Sequence, residues 1–437
     1  MFIDDDTATI KFSKDTIFFD TVFTGIGSAT KSFRIVNPHK QKIKISTISL
    51  MGGNSSAYRI NIDGVPGNQF SDIEILAEDS LYGFVEVTID PNNWLSPFIV
   101  NDDIQFVTNG NLQYIHLQSY GQNAYYHKHE TICDTIWSAD KPHVIVDYVY
   151  IDSLCYLKID AGTRVYTFGN YDDPYQVKGR ILVGGRLLAI GKIDSMIEFR
   201  GARLEAAFIN APGQWNGIEF FPAAEGSIFS YSMIQGATIG MKIDSMPATS
   251  TAYNFTIDHS IIRNISSAAI SALSGKLKAT NCLIYNCYGQ SLSFNYGGHY
   301  ELNHSTISRG SDKGLLGIAN NLTIGGVTYG YADLYARFTN CIIFGNYTEE
   351  IVQLNLSGAA WDVQYQNCLL KTEMSGTEFV SCIINENPNF INTTDTFNFR
   401  LQSISSAINT GINTGVLDDL DAYTRDVLPD IGCYEFH

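Results

Sequence analysis

The chain is short of charge, of cations, of cysteine in its first third and of long apolar runs, and each shortage excludes something. Of 437 residues only 17% are charged, with 28 Lys+Arg against 45 Asp+Glu and a formal net charge of −17. So acidic a surface repels phosphate backbones and anionic lipid head groups, which argues against nucleic acid as a partner. No apolar stretch approaches the ~20 residues of a membrane span, and the most apolar segment, Ile181 to Gly191, carries Arg186 in its middle. The opening Met-Phe-Ile-Asp-Asp-Asp has neither the basic start nor the apolar region of a signal peptide, so an intracellular chain and an exported one already relieved of its signal both fit. Eight cysteines, none in the first 132 residues, make no dense disulfide framework and show no Cys-x-x-Cys spacing. Cys133 and Cys155 could pair; the plainer reading is buried thiols acting as small hydrophobes.

What the chain does have is Gly (37), Tyr (25) and Phe (25), a mix suited to pleated, half-buried surfaces, and the fold class expected is all-β. Up to about residue 121 short alternating runs such as Thr16-Ile-Phe-Phe-Asp-Thr-Val-Phe23 and Tyr82-Gly-Phe-Val-Glu-Val-Thr-Ile89 are broken by Asn-Pro, Gly-Gly, Asp-Gly and Asp-Pro. They predict about seven strands in an immunoglobulin-like β-sandwich without its inter-sheet disulfide. Residues 1–9, with Asp4-Asp5-Asp6, read as a solvated tether, 10–122 as the sandwich, and Gln122 to Thr131 as a linker. The His127-x-His129 pair in that linker lacks a third ligand nearby, so a plain linker is favoured over a metal site.

Beyond Thr131 one template recurs: Ser232-Met-Ile-Gln-Gly236, Ser260-Ile-Ile-Arg-Asn264, Cys282-Leu-Ile-Tyr-Asn286, Ser305-Thr-Ile-Ser-Arg309, Cys341-Ile-Ile-Phe-Gly345, Cys368-Leu-Leu and Cys382-Ile-Ile-Asn385. The spacings are 28, 22, 23, 36, 27 and 14 residues, mostly the length of one coil of a parallel β-solenoid, with 36 implying an inserted loop. Coils stack at ~4.8 Å, so equivalent residues form ladders along the axis. The Ser/Cys column is therefore read as interior, which accounts for most cysteines without redox chemistry. Asn264 and Asn286 fall where the strand turns, placed to stack amide on amide. Residues 123–437 are assigned to this solenoid, with a cap from about 401.

Three stretches carry a family resemblance. Trp137-Ser-Ala-Asp-Lys-Pro-His-Val-Ile-Val146 with Leu157-Lys-Ile-Asp-Ala-Gly-Thr-Arg-Val-Tyr166 resembles the opening coils of right-handed parallel β-helix proteins of the pectate-lyase-like superfamily, in the form found as surface lipoproteins of Bacteroidetes-type bacteria. Gly297-Gly-His-Tyr-Glu-Leu-Asn-His-Ser-Thr-Ile307 and Phe338-Thr-Asn-Cys-Ile-Ile-Phe-Gly-Asn346 are similar to their coil phrases. Ser405-Ser-Ala-Ile-Asn-Thr-Gly411 and Pro429-Asp-Ile-Gly-Cys-Tyr-Glu435 resemble their closing segment. The resemblance implies a right-handed β-helix behind an Ig-like module, export to the cell surface or outside the cell, a lipid anchor whose cysteine is absent here, and a polysaccharide or surface glycan as partner.

Catalytic members of that superfamily cleave acidic polysaccharides by calcium-assisted elimination or by hydrolysis with paired carboxylates. Thr256-Ile-Asp-His-Ser260 echoes the lyase phrase containing Asp-His, but the Arg-x-Pro-x-x-Arg partner is missing. For hydrolysis, Asp172-Asp173 lies in an apparent loop, Gly298-His299 is followed by Tyr300, and no Arg-x-Lys follows. Aligning coils on the Ser/Cys column puts His259, Asn281 and His304 in one file and Asn264, Asn286 and Arg309 in another. Asp258, His259, His304 and Arg309 are accordingly the candidates for catalysis, and Arg263, Lys278, Asn281 and Tyr300 for sugar contact. No cofactor is called for, with calcium left open, and Asp418 to Glu435 supply oxygen ligands without an EF-hand spacing. The reading favoured is binding or presentation of a polysaccharide; the alternative is an enzyme, a lyase rather than a hydrolase.

Overall fold

The structure is a computed structural model describing residues 2–3, 5–92, 94–95, 97–168, 179–222, 224–244, 252–310 and 313–437. It divides into two compact units, Met1–Ala124 and Tyr125–His437. Among the described residues there is no α-helix, only a 3-10 turn at Gly53–Ser55.

The first unit is a β-sandwich of two five-stranded sheets. Strand alternation dictates its core: in Tyr58–Ile62 every second side chain is buried, and in Ile43–Leu50 the alternation changes phase once, at a bulge between Ile45 and Thr47. Phe19, Phe33, Ile45, Tyr58, Ile60, Val85, Phe106 and Ile115 meet between the sheets. Ten strands stand where about seven are expected. Phe98–Thr108 escapes a pattern search because Asn101-Asp102-Asp103 interrupts its alternation; the Asp102 carboxylate accepts from Ser56 Oγ (2.5 Å) and the Gly52 N–H (2.9 Å). The tether reading is also corrected, although Asp4 itself lies outside the described residues. Ile3 N donates to the Lys42 carbonyl (2.8 Å), and Ala8 and Ile10 are buried in the sandwich core.

The second unit is a parallel β-helix. A ten-stranded parallel sheet takes one strand from each coil, and an eighteen-stranded sheet carries the rest of the coil wall. The expected linker is in fact its first rung: Tyr125–Ile132 pairs in parallel with His143–Ile151. Its lack of periodicity follows from its exposure, since only Ile132 of its eight residues is buried. The predicted ladders form in register. Ile234, Ile262, Ile284, Ile307, Ile343 and Leu370 are consecutive partners, all fully buried. The Ser/Cys column is interior for a further reason than size. Ser260 Oγ donates to the Asp258 carbonyl (2.7 Å) and accepts the Ser232 N–H of the preceding coil (3.0 Å); Ser305 serves Cys282 likewise (3.3 Å), and Cys368 Sγ serves Cys341. The small polar side chain satisfies a backbone donor that the turn would otherwise leave buried and unpaired. The 36-residue spacing holds an inserted hairpin, Asn321–Ile324 with Val327–Tyr331.

The template contains two adjacent apolar positions, and strand geometry sends them to opposite faces. The inner one fills the core. The outer file, Ile261, Leu283, Ile342, Leu369 and Ile383, is covered by the last fifty residues. A hairpin of Phe390–Asn392 and Asn398–Leu401, followed by irregular chain, lays Phe399, Leu420, Cys433 and Tyr434 on Leu283, and Leu401, Ala407 and Ile431 on Ile342 and Leu369. The closing segment is thus a strap along the side of the coils, not a cap of their end.

Candidate functional site

The strap decides the fate of the file read from sequence as a polar ladder. His259, Asn281, His304 and Asn340 each adopt positive φ (43°, 50°, 44° and 52°) at the corner leaving the ten-stranded sheet. Asn and His are among the non-glycine residues that enter this region most readily. All four side chains are buried, because the strap lies over them. Asn281 donates to the Asp418 carbonyl (2.9 Å) and accepts from Arg425 (2.8 Å). Asn340 donates to His304 Nε2 (2.9 Å) and the Ile412 carbonyl (2.8 Å) and accepts the Ile412 N–H. Burial and the charge of Arg425 push the His304 pKa down to about 3. For His259, burial opposes the charged ring, but the Asp258 carboxylate (2.7 Å), with Asp418, outweighs it and raises the pKa.

These placements correct the sequence reading. His259, Asn281 and His304 face the strap and are closed to a solvent-borne glycan, and Asp258 is engaged with His259. Tyr300 is an inward residue, fully buried, stacked on Phe294 at 4.0 Å and donating to the Gly297 carbonyl. Arg263 is tied to Gln235 (2.8 Å) and the Tyr285 hydroxyl (3.0 Å). Arg309 donates to the Thr393 carbonyl at the edge of the strap. Only Lys278, of the eight candidates, stands exposed on an open strand face.

Lys278 leads to the residues that sequence reasoning missed. Register sets it beside Thr256, Glu301, Arg337 and Gln364 along the outer face of the ten-stranded sheet, with Lys276, His299, Tyr335 and Asp362 in the next file. Glu301 is the centre. His299 Nε2 and the Tyr253 hydroxyl both donate to its Oε1 at 2.8 Å, leaving Oε2 for another donor. Burial works against this carboxylate, yet the two hydrogen bonds and nearby Lys278 prevail and hold its pKa below the usual range, while burial and Glu301 push the Tyr253 phenol up to about 12. At neutral pH the pair is therefore an ionised acceptor and a neutral donor. Tyr335 contacts the tilted ring of His299 (4.3 Å between ring centroids) and the Arg337 guanidinium (4.1 Å), and one Arg337 nitrogen, Nη2, donates to both oxygens of Asp362 (2.8 and 2.7 Å). The signal was the parity of Gly298–Asn303: once Tyr300 points inward, His299 and Glu301 point outward together.

Other candidates for ion chemistry are spent elsewhere. Cys133 and Cys155 form a disulfide, correcting their reading as thiols and removing the one grouping of three metal-type ligands among the described residues. His127 contacts His143 (2.9 Å) and Glu130 (2.5 Å), whereas His129 pairs with Asp147 (2.9 Å). Burial pushes the His143 pKa down to about 4. The acidic carboxylates of the strap serve backbone donors: Asp419 accepts from Asp421, Tyr423 and Glu435, and Asp430 from Asn409 and Phe436. Asp172-Asp173 lies outside the described residues.

No family model matches the chain, and no curated protein matches it. Among solved structures, the chain is similar to the catalytic unit of a thermostable GH87 α-1,3-glucanase from Streptomyces thermodiastaticus, with 9% identity over 79% of this chain and 85% of that one and a TM-score of 0.30. A family 123 glycoside hydrolase from Clostridium perfringens aligns at 10% identity over 26% of each chain, so that this chain spans about a quarter of its length, with a TM-score of 0.19.

Proposed function

We propose that the protein binds an extended polysaccharide along the outer face of the ten-stranded sheet. The observation that carries this reading is the Glu301 centre: an ionised acceptor with one oxygen open, beside the exposed ammonium of Lys278 and within files of Thr256, Arg337 and Gln364. Donors and acceptors repeat here at the ~4.8 Å rung spacing, comparable to the length of a sugar residue, so successive sugars meet successive rungs. The Cys133–Cys155 disulfide supports an exported setting, since such bonds persist in oxidising compartments.

Affinity electrophoresis against acidic and neutral polysaccharides tests the reading. Lys278→Ala with Glu301→Gln removes two charge-assisted contacts of ~1.5 kcal/mol or more each, so affinity falls by at least about a hundredfold; undiminished retardation refutes it. A second reading, cleavage by elimination, is favoured by the ionised Glu301 beside His299 and Tyr253. Unsaturated chain ends appearing on incubation, and lost in Glu301→Gln, would establish it. Hydrolysis by paired carboxylates finds no support here, because Arg337 occupies both oxygens of Asp362.

A further inference from the structure

We infer that the cleft beside Arg309 is a second binding site, built for a single acidic sugar residue. Two adjoining hollows of about 300 and 100 Å³ share Arg309 and Asn346. The larger is walled by the strap hairpin and the smaller by the coil turns, well apart in register from the files around Glu301. Among the described residues lining them Arg309 is the only charged side chain, and no carboxylate is present. In a chain of net charge −17, a cleft whose described lining holds a cation and no carboxylate favours an anion. Behind the wall Lys371, whose Nζ lies 5.0 Å from the centroid of Phe344 and donates to the Gly345 carbonyl (3.0 Å), interacts with the Glu350 carboxylate packed against Gly345, so Arg309 carries the charge of the cleft.

The remaining lining is the chemistry of a sugar ring. Asn286, Asn346, Asn389 and Gln402 line the cleft with amides, those of Asn286, Asn389 and Gln402 each spending one N–H within the protein, and the rings of Phe344 and Phe390 add apolar surface. The volume suits one sugar unit, at the lower end of the ~300–1,000 Å³ of ordinary ligand pockets.

Arg309 is out of place by the rules of the turn it occupies. Its file holds stacked asparagines, with Asn286 donating to the Asn264 amide oxygen (3.1 Å), all at φ near +55°. Arg309 takes the next rung at φ +52° and ends the amide ladder. Its guanidinium is held in position by the Thr393 carbonyl and by the ring of Phe397, 5.2 Å from its centroid. A fixed, forked cation is the group that recognises a carboxylate or a sulfate by two parallel hydrogen bonds.

Ligand-observed NMR and calorimetry on the full chain test this with galacturonate, galactose 6-sulfate, galactose and acetate. Galacturonate or galactose 6-sulfate binds at least tenfold more tightly than galactose or acetate, and the comparison of the two acids tells carboxylate from sulfate recognition. Arg309→Asn, which restores the amide ladder, loses that binding at least tenfold with no fall in melting temperature, and Arg309→Lys retains part of it. Lys278→Ala with Glu301→Gln, which disables the sheet face, leaves binding at the Arg309 cleft unchanged. Equal binding of galactose, equal binding of acetate, no binding of either acid, or undiminished binding by Arg309→Asn overturns the inference.

Discussion

Replacing Arg425 with alanine should release the strap. Arg425 and Glu435 are 1% and 3% exposed, and their ion pair is 2.9 Å long. The same guanidinium donates to Asn281 Oδ1 (2.8 Å) and to the carbonyls of Gly432 (3.1 Å) and Asp418 (3.1 Å). Truncation therefore strands a buried carboxylate, an amide oxygen and the Gly432 carbonyl at once, while the Asp418 carbonyl keeps the Asn281 amide. Breaking a buried pair from one side costs about 3–5 kcal/mol. Glu435 keeps the N–H groups of Asp426 (3.1 Å) and Asp430 (3.2 Å), which places the expected loss near the bottom of that range, about 3 kcal/mol. Urea unfolding should show an early transition, accompanied by dye binding to the uncovered Leu283, Ile342 and Leu369. Arg425→Ala with Glu435→Ala should lose less than the two single losses added, because the second change removes the stranded charge. An unfolding curve and dye fluorescence identical to wild type would refute the account of the strap as held at this point.

His304 gives a pH test with a definite sign. Its folded pKa of about 3 lies below the ordinary 6.5, so the unfolded chain binds the extra proton and stability falls as pH drops from 6.5. At about 1.4 kcal/mol per unit the loss reaches roughly 3 kcal/mol by pH 4. Asp430, raised to about 6 by burial, acts in the opposite sense, its contribution being lost as pH rises through 6, but does so in wild type and variant alike. His304→Asn should therefore show a smaller fall in urea midpoint between pH 7 and 4; equal falls would discard the assignment. Cys133→Ser with Cys155→Ser opens a loop of 22 residues and should cost about 3 kcal/mol by denaturant titration, whereas an unchanged midpoint would mean that coil stacking alone holds the first rungs.

The interior of the solenoid was legible because its determinants are local and repeated. A small polar residue, an apolar one and an Ile recur wherever a strand leaves a corner, and the partners they stack on come from the next turn of chain. What covers the outer apolar file was not legible, since Leu283 and Leu420 are distant in sequence and share no pattern. The same gap misplaced the candidate site. His259 and His304 stood out as unusual in a file of asparagines, but the strap that buries them is set by Arg425, Asp419 and Ile431. Lys278 was found because it is a cation in a polar strand. Glu301 was missed because its importance lies in the inward turn of Tyr300 and in Tyr253, reached across two further coils.

The strap also bears on how the protein is made. Ribosomes deliver the rungs first and residues 390–437 afterwards, so Ile261, Leu283, Ile342 and Leu369 present an uncovered greasy stripe until those residues have emerged. A chain stalled or clipped before residue 390 would keep its coils and expose that stripe, making it a natural handle for chaperones and a seed for association of one copy with another.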